Sequence, residues 1–141
     1  MSLSHCLTAI LMYMCGKKNP IASKSSVSLQ ELEKYPCLTF DQGKTNSFYF
    51  AEEVFSTYEY KQTIQVDDRA SMLNLMVGLN GYTLCSGIIC EELNGSDYAA
   101  VPLKETEVMT IGYVKRKSIQ LSELAQLYVN ELAKYKNLVL K

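Results

Sequence analysis

Three short polar stretches could contact a ligand, because each lies where a predicted strand gives way to a predicted helix. They are residues 41–47 (DQGKTNS), the pair Asp67-Asp68, and the step Ser86-Gly87 in the run VGLNGYTLCSGI. The start of a helix exposes unpaired N–H groups and a partial positive charge, which suit a carboxylate, sulfate or phosphate. The alternative at each stretch is local: helix capping at the first two and a tight turn at the third.

The stretch 41–47 carries the most hydrogen-bond donors. Thr45, Asn46 and Ser47 are good N-cap residues that can also donate to an anion, and Lys44 adds a positive charge. The GxxxxGK[ST] spacing of a phosphate-binding P-loop is absent. This stretch is therefore the best candidate for a binding site, with helix capping alone as the competing interpretation.

The other two stretches have ordinary structural interpretations beside their chemical ones. Adjacent carboxylates at Asp67 and Asp68 could bind a metal ion or act as an acid and a base, but such a pair more often caps a helix. The pair would repel an anion unless Arg69 or Lys44 offset its charge. At the third stretch, Ser86-Gly87 could present backbone amides to a ligand.

Residue types that carry catalysis or bind metals are scarce. The single histidine, His5, lies near the N-terminus and no GxSxG motif occurs, so no Ser/His or Cys/His pair is expected. The five cysteines contain no CxxC pair, and we interpret them as reduced thiols in apolar surroundings, with a disulfide framework or a metal site as the alternative. We therefore expect no enzymatic activity, no cofactor, no metal and a cytoplasmic location.

Charge and hydropathy argue against two classes of partner. The 141 residues amount to about one domain, with 14 basic and 15 acidic side chains. Only Arg69 and Arg116 are arginines, so no exposed nucleic-acid surface is expected. The apolar run 7–15 is too short to span a bilayer and lacks a basic segment before it, so it predicts a buried strand and no membrane partner.

The hydrophobic pattern alternates between strand-like and helix-like segments. A capping box at Ser28–Glu31 predicts a short helix to about residue 35, and Met72, Leu75, Met76 and Leu79 form a helical stripe. The predicted strands are 7–15, 36–41, 61–66, 82–86, 98–103 and 108–117; the predicted helices start near 29, 47, 69, 87 and 121. This order predicts an α/β three-layer sandwich with a mainly parallel sheet, in which ligands bind beyond the carboxyl ends of the strands.

Three segments together resemble LysR-type transcriptional regulators. KKNPIASKSSVSLQELEKYPCLTFDQG resembles the run that enters the second lobe of their effector-binding domain. IQVDDRASMLNLMVGLNGYTLCSGI resembles the strand, helix and turn that follow, and VPLKE…IGYVKRKSIQLSELAQLYVNEL resembles the closing part. The match begins at about residue 7 and keeps the family's order and spacing.

The resemblance implies one lobe of a type II periplasmic-binding-protein-like domain. Residues 1–6 would be a tail, 7–117 the second lobe, and 118–141 a C-terminal helix that would pack on a first lobe missing from this chain. The DNA-binding and linker helices would also be missing, so DNA would be bound only through a domain absent here. The apolar stripe of the final helix would fold back or pack against a second copy, which makes a homo-oligomer an expected partner.

The resemblance also implies a function: sensing of a small polar effector, with an anion favoured, in a cleft between two lobes. An alternative is a solute-binding protein of the same fold that serves transport, and a further one is a small α/β enzyme. The first alternative needs a secretion signal and full-length lobes, and the second a titratable pair in a cleft. The effector-binding residues expected from this resemblance are Lys44, Thr45, Asn46, Ser47, Asp67, Ser86 and Gly87.

Overall fold

The computed structural model of the protein describes residues 2–41, 60–105 and 108–134. The chain divides into two compact units, one of residues 1–10 with 108–141 and one of residues 11–107. The described elements are β1 (Ser2–Ile10), β2 (Met12–Gly16), α1 (Leu29–Leu32), β3 (Cys37–Phe40), β4 (Thr63–Val66), α2 (Arg69–Gly78), β5 (Tyr82–Cys85), α3 (Glu91–Asn94), β6 (Tyr98–Pro102), β7 (Val108–Lys115) and α4 (Glu123–Lys134). The helix predicted to start near residue 47 lies outside the described residues.

The unit of residues 11–107 is built on a five-stranded sheet with the order β4-β3-β5-β2-β6. Strand β3 pairs in parallel with β4 and β5, whereas β2 pairs antiparallel with β5 and β6. Four of the five strands therefore run in one direction and only β2 opposes them. The predicted mainly parallel sheet is confirmed, although β2 makes it a mixed one.

The strand predicted for residues 7–15 is instead two strands, β1 and β2, interrupted at Leu11. Strand β1 pairs with β7 in a two-stranded antiparallel sheet, whereas β2 belongs to the five-stranded sheet. Apart from Thr8 the run is apolar, and it has no turn residue, so its hydropathy could not show where the chain leaves one sheet for the other. Strand β1 also begins at Ser2, within the segment 1–6 that we assigned to a tail.

The helix α2 covers one face of the five-stranded sheet. Its side chains Met72 and Met76 are 2% and 0% exposed and pack with Met14, Leu38 and Val66. Half of the predicted stripe is wrong, since Leu75 and Leu79 are 36% and 50% exposed. The buried contact with the sheet comes from an i, i+4 pair, beside which the partly buried Leu73 also packs, rather than from the predicted stripe.

The opposite face of the sheet is also buried. Tyr13 and Tyr82 lie there on neighbouring strands, with ring centroids 5.2 Å apart, and both are buried together with Cys15 and Cys37. Successive residues of a strand point to opposite faces, so burial of both sets means that both faces are covered. This is the pattern that a three-layer α/β arrangement requires.

The other unit contains β1, β7 and α4, and the helix packs against β1. The predicted lobe, residues 7–117, therefore extends beyond the unit of residues 11–107 at both ends, because β7 pairs with β1. The apolar side chains Leu124, Leu127 and Tyr128 of α4 are exposed. They form the part of the predicted stripe that the single chain does not bury.

The capping box at Ser28–Glu31 is confirmed, and it belongs to a larger charge network. The Ser28 N–H donates to the Glu31 carboxylate over 3.0 Å, and the Glu31 N–H donates to Ser28 Oγ over 3.4 Å. Both Lys24 and Lys104 also donate to this carboxylate. Hydrogen bonds from Lys24, from the Ser28 backbone and from Lys104 hold the pKa of Glu31 well below its usual range.

We expect this network to make the stability of the fold depend on pH. The folded-state pKa of Glu31 lies below that of the unfolded chain, so its contribution is present at neutral pH and is lost as pH falls below the usual glutamate value of about 4.3. Glu31→Gln should lower the urea midpoint at neutral pH and flatten its fall in acid. The matched variant Glu33→Gln, which removes one exposed ion pair with Lys61, should leave the acid dependence in place. Identical pH profiles for wild type and Glu31→Gln would contradict this expectation.

Candidate functional site

The three predicted junctions meet at one edge of the five-stranded sheet. The strands β3, β4 and β5 are parallel, with Phe40 beside Val66, so their carboxyl ends point the same way. Asp41, Asp67 and Ser86 directly follow these three ends. We call the set of residues that follow β3, β4 and β5 at this edge the carboxyl edge.

The first junction is described only at its start. The N–H of Asp41 donates to the carbonyl oxygen of Val66 over 3.0 Å, which continues the pairing of β3 and β4 by one residue. The strongest predicted contacts, Lys44, Thr45, Asn46 and Ser47, lie outside the described residues. Their assignment to the site therefore stays a prediction.

The second junction begins the helix α2. Asp68 is its N-cap, with a side-chain oxygen that accepts from the Ser71 N–H over 2.8 Å. Hydrogen bonds from Ser71 and from the Ala70 backbone lower the pKa of Asp68, so the carboxylate stays ionised and engaged. The capping interpretation is thus correct for Asp68, while the neighbouring Asp67 side chain is exposed to solvent.

Arg69 adds a positive charge to the carboxyl edge. Its guanidinium carbon lies 5.3 Å from the centroid of the Phe40 ring, a distance typical of a cation–π contact. This contact places the arginine beside the end of β3 as well as at the start of α2. Arg69 was not among the predicted site residues, although its position directly after the aspartate pair was a signal for it.

The third junction is a turn in which Gly87 has a φ of +72°. The Gly87 N–H donates to Cys85 Sγ over 3.4 Å, and the Ile88 N–H donates to Ser86 Oγ over 3.4 Å. A Cβ atom on Gly87 would lie 2.3 Å from Met12 Sδ, so only glycine fits both the backbone conformation and the space. These two amides have local acceptors, but sulfur is a weak acceptor, and a ligand oxygen could replace it.

The described part of the chain offers no conventional metal centre. Across residues 2–41, 60–105 and 108–134, no group of three or more His, Cys, Asp or Glu side chains could hold a metal ion. Among the cysteines, Cys15 and Cys37 are buried, Cys85 is partly buried and Cys90 is exposed. In these same segments, no helix is long and apolar enough to cross a membrane.

The sequence matches a protein-family model described as the LysR substrate binding domain over residues 5–136. HinK, a LysR family transcriptional regulator from Pseudomonas aeruginosa, has a similar structure: 16% identity, a TM-score of 0.66, and coverage of 94% of this chain and 47% of that chain. The chain thus spans about half the length of that regulator. Among curated proteins, none matches the sequence.

Two similar structures contain small molecules. The effector-binding domain of QuiR in complex with shikimate has 14% identity and a TM-score of 0.63, and the match covers 96% of this chain and 65% of that one. The regulatory domain of Synechocystis PCC6803 CcmR in complex with 2-PG has 14% identity and a TM-score of 0.57, with coverage of 96% and 67%. At these identities the similarity establishes the fold.

Proposed function

Because this chain belongs to the LysR substrate-binding-domain family, we propose that it senses a small polar effector at the carboxyl edge. The chain is part of the effector-binding domain of a LysR-type regulator. The single observation that carries the proposed site is the convergence of three strand ends, followed by Asp41, Asp67 and Ser86, at one edge of the sheet. Ligands of open parallel sheets bind beyond such ends.

We assign the effector contacts to Lys44, Thr45, Asn46, Ser47, Asp67, Ser86 and Gly87. Asp67 is exposed next to the N-terminus of α2 and can accept hydrogen bonds from hydroxyl or ammonium groups. The turn at Ser86-Gly87 contributes an N–H whose present acceptor is a cysteine sulfur. The QuiR and CcmR domains that share this fold hold shikimate and 2-PG, which supports a small molecule as the ligand.

The charges at the carboxyl edge disfavour an anionic effector unless further positive charge is present. The described residues there include the carboxylates of Asp41, Asp67 and Asp68 and the guanidinium of Arg69, so acidic groups outnumber basic ones. An anion would therefore need the positive charge of Lys44 in addition to that of Arg69. A neutral polar effector with several hydroxyl groups fits the described part of the site without this condition.

In the intact regulator, effector binding would shift the balance between two arrangements of the effector-binding domain and thereby alter how an oligomer sits on DNA. DNA contact belongs to a domain outside this chain, and the location is cytoplasmic. The exposed side chains Leu124, Leu127 and Tyr128 of α4 support association with another copy. The comparisons do not favour the alternative of a solute-binding protein for transport, since the family model and the structures named above are those of LysR regulators.

A thermal-shift screen of small polar metabolites tests the proposed site. A ligand present at 100 times its Kd stabilises the folded chain by about 2.7 kcal/mol, which is readily measured as a rise in Tm. For any ligand that raises the Tm, Asn46→Ala and Asp67→Asn should remove most of the shift. The control Asp97→Asn alters an exposed carboxylate just before β6, at the opposite edge of the sheet, and should keep the full shift. Equal shifts in all variants would place the pocket elsewhere.

A further inference from the structure

Three sulfur-containing side chains, Met12, Met14 and Cys85, lie on one face of the sheet where β5 ends and β2 begins. Met12 and Cys85 are directly paired residues of these antiparallel strands, and Met14 lies two residues further along β2 on the same face. The distance from Cys85 Sγ to Met14 Sδ is 3.8 Å. One thiol and one thioether are therefore already in contact.

The sulfur of Met12 lies beside Gly87, the residue whose N–H donates to Cys85 Sγ. A Cβ atom on Gly87 would lie 2.3 Å from Met12 Sδ, and the Gly87 N–H lies 3.4 Å from Cys85 Sγ. Both sulfurs thus contact the same glycine, and directly paired residues in an antiparallel sheet have Cβ atoms only about 5 Å apart. The strand pairing and the turn together place one thiol and two thioethers around the same turn.

We propose that Met12, Met14 and Cys85 form a binding site for Cu(I). Thiolate and thioether sulfurs are soft ligands that favour Cu(I) over the harder divalent ions. Metal–thiolate bonds of about 2.3 Å place three sulfurs around a planar ion roughly 4 Å from one another. The observed 3.8 Å between Cys85 Sγ and Met14 Sδ is close to that spacing.

The surroundings of Cys85 suit a metal-bound thiolate. The Gly87 N–H donates to its sulfur over 3.4 Å, and the same N–H could donate to a metal-bound sulfur. Met12 and Cys85 are partly exposed while Met14 is 8% exposed, so the ion can enter from one side and is shielded on the other. Binding would replace the thiol proton of Cys85, which passes to solvent, and copper would stay in the +1 state.

An anaerobic titration of the full chain with Cu(I), in competition with a chromophoric Cu(I) chelator, tests the proposal. We expect one equivalent of Cu(I) per chain to be retained against the chelator. Cys85→Ser and Met12→Leu, which nearly preserve side-chain volume, should each weaken binding by at least about 10-fold. X-ray absorption at the copper edge should show a first shell of three sulfurs in wild type.

Two control variants separate this site from nonspecific thiol binding. Cys90→Ser removes the exposed thiol five residues away, and Met76→Leu replaces a buried thioether in the same core, so both should bind Cu(I) like wild type. Circular dichroism of each variant without copper confirms that it is folded. Failure of the wild type to compete with the chelator, or loss of binding in Cys90→Ser instead of Cys85→Ser, would show ordinary sulfur packing and overturn the proposal. The titration contains no effector, so the Gly87 N–H stays with Cys85 Sγ and the outcome does not depend on the proposed effector contacts.

Discussion

Replacement of Met76 by alanine is expected to lower the free energy of unfolding by about 2–5 kcal/mol. Met76 is 0% exposed and packs on the sheet with Leu38 and Met14, so the truncation leaves a cavity between α2 and the strands. Urea unfolding followed by tyrosine fluorescence measures the loss, because the chain has no tryptophan and Tyr13 and Tyr82 are buried in the same sheet.

The control for this prediction lies three residues further along the chain. Leu79 belongs to the predicted apolar stripe but is 50% exposed at the C-cap of α2. Leu79→Ala should therefore cost about 1 kcal/mol or less, as is usual for exposed positions. Equal losses for Met76→Ala and Leu79→Ala would mean that α2 buries the whole predicted stripe and that its orientation on the sheet is different.

Replacement of Gly87 by alanine is expected to cost about 2–4 kcal/mol, from a positive φ and a steric conflict together. A Cβ atom at this position would meet Met12 Sδ at 2.3 Å and two further Met12 atoms at 3.0 and 3.1 Å. Met12 starts β2 directly opposite the end of β5, so the steric clash would disturb the pairing of β2 with β5 at the carboxyl edge. Chemical denaturation gives the stability, and the ligand screen gives the effect on binding.

Gly95→Ala isolates the conformational part of that effect. Gly95 has a similar positive φ, +78°, but a Cβ atom there would meet nothing within 4 Å. Its substitution should therefore show only the conformational cost, about 1–3 kcal/mol. If Gly87→Ala lowered the stability no more than Gly95→Ala, the Met12 side chain would be able to move aside. Its packing against Gly87 would then not restrict the residue type at position 87.

Features determined within a few residues were predictable from the sequence. The capping box at Ser28–Glu31 and the cap at Asp68 both have the predicted hydrogen bonds, because a cap joins a side chain to a backbone group two or three residues away. The alternation of strands and helices likewise follows from local periodicity. The mainly parallel sheet was predicted as well, whereas the meeting of three strand ends at one edge depends on which strands pair.

Features that depend on distant residues were not predictable. The apolar run 7–15 gave no sign that its first part pairs with residues near 110 and its second part with residues near 84 and 100. The exposure of Leu75 and Leu79 depends on the angle at which α2 meets the sheet, which no spacing within the helix specifies. Arg69 was visible as a charge, but its contact with Phe40 required β3 and α2 to be adjacent.

The sequence by itself determined the class of fold, the family resemblance, and which short segments could offer amides and polar side chains to a ligand. Only the tertiary structure decided that the chain changes sheets at Leu11, that Gly87 lies against Met12, and that Cys85 meets Met14 across 71 residues of sequence. The physical reason is the separation in sequence over which each interaction acts. Caps and periodicity act over about four residues, whereas strand pairing is selected by the burial of both sheet faces at once.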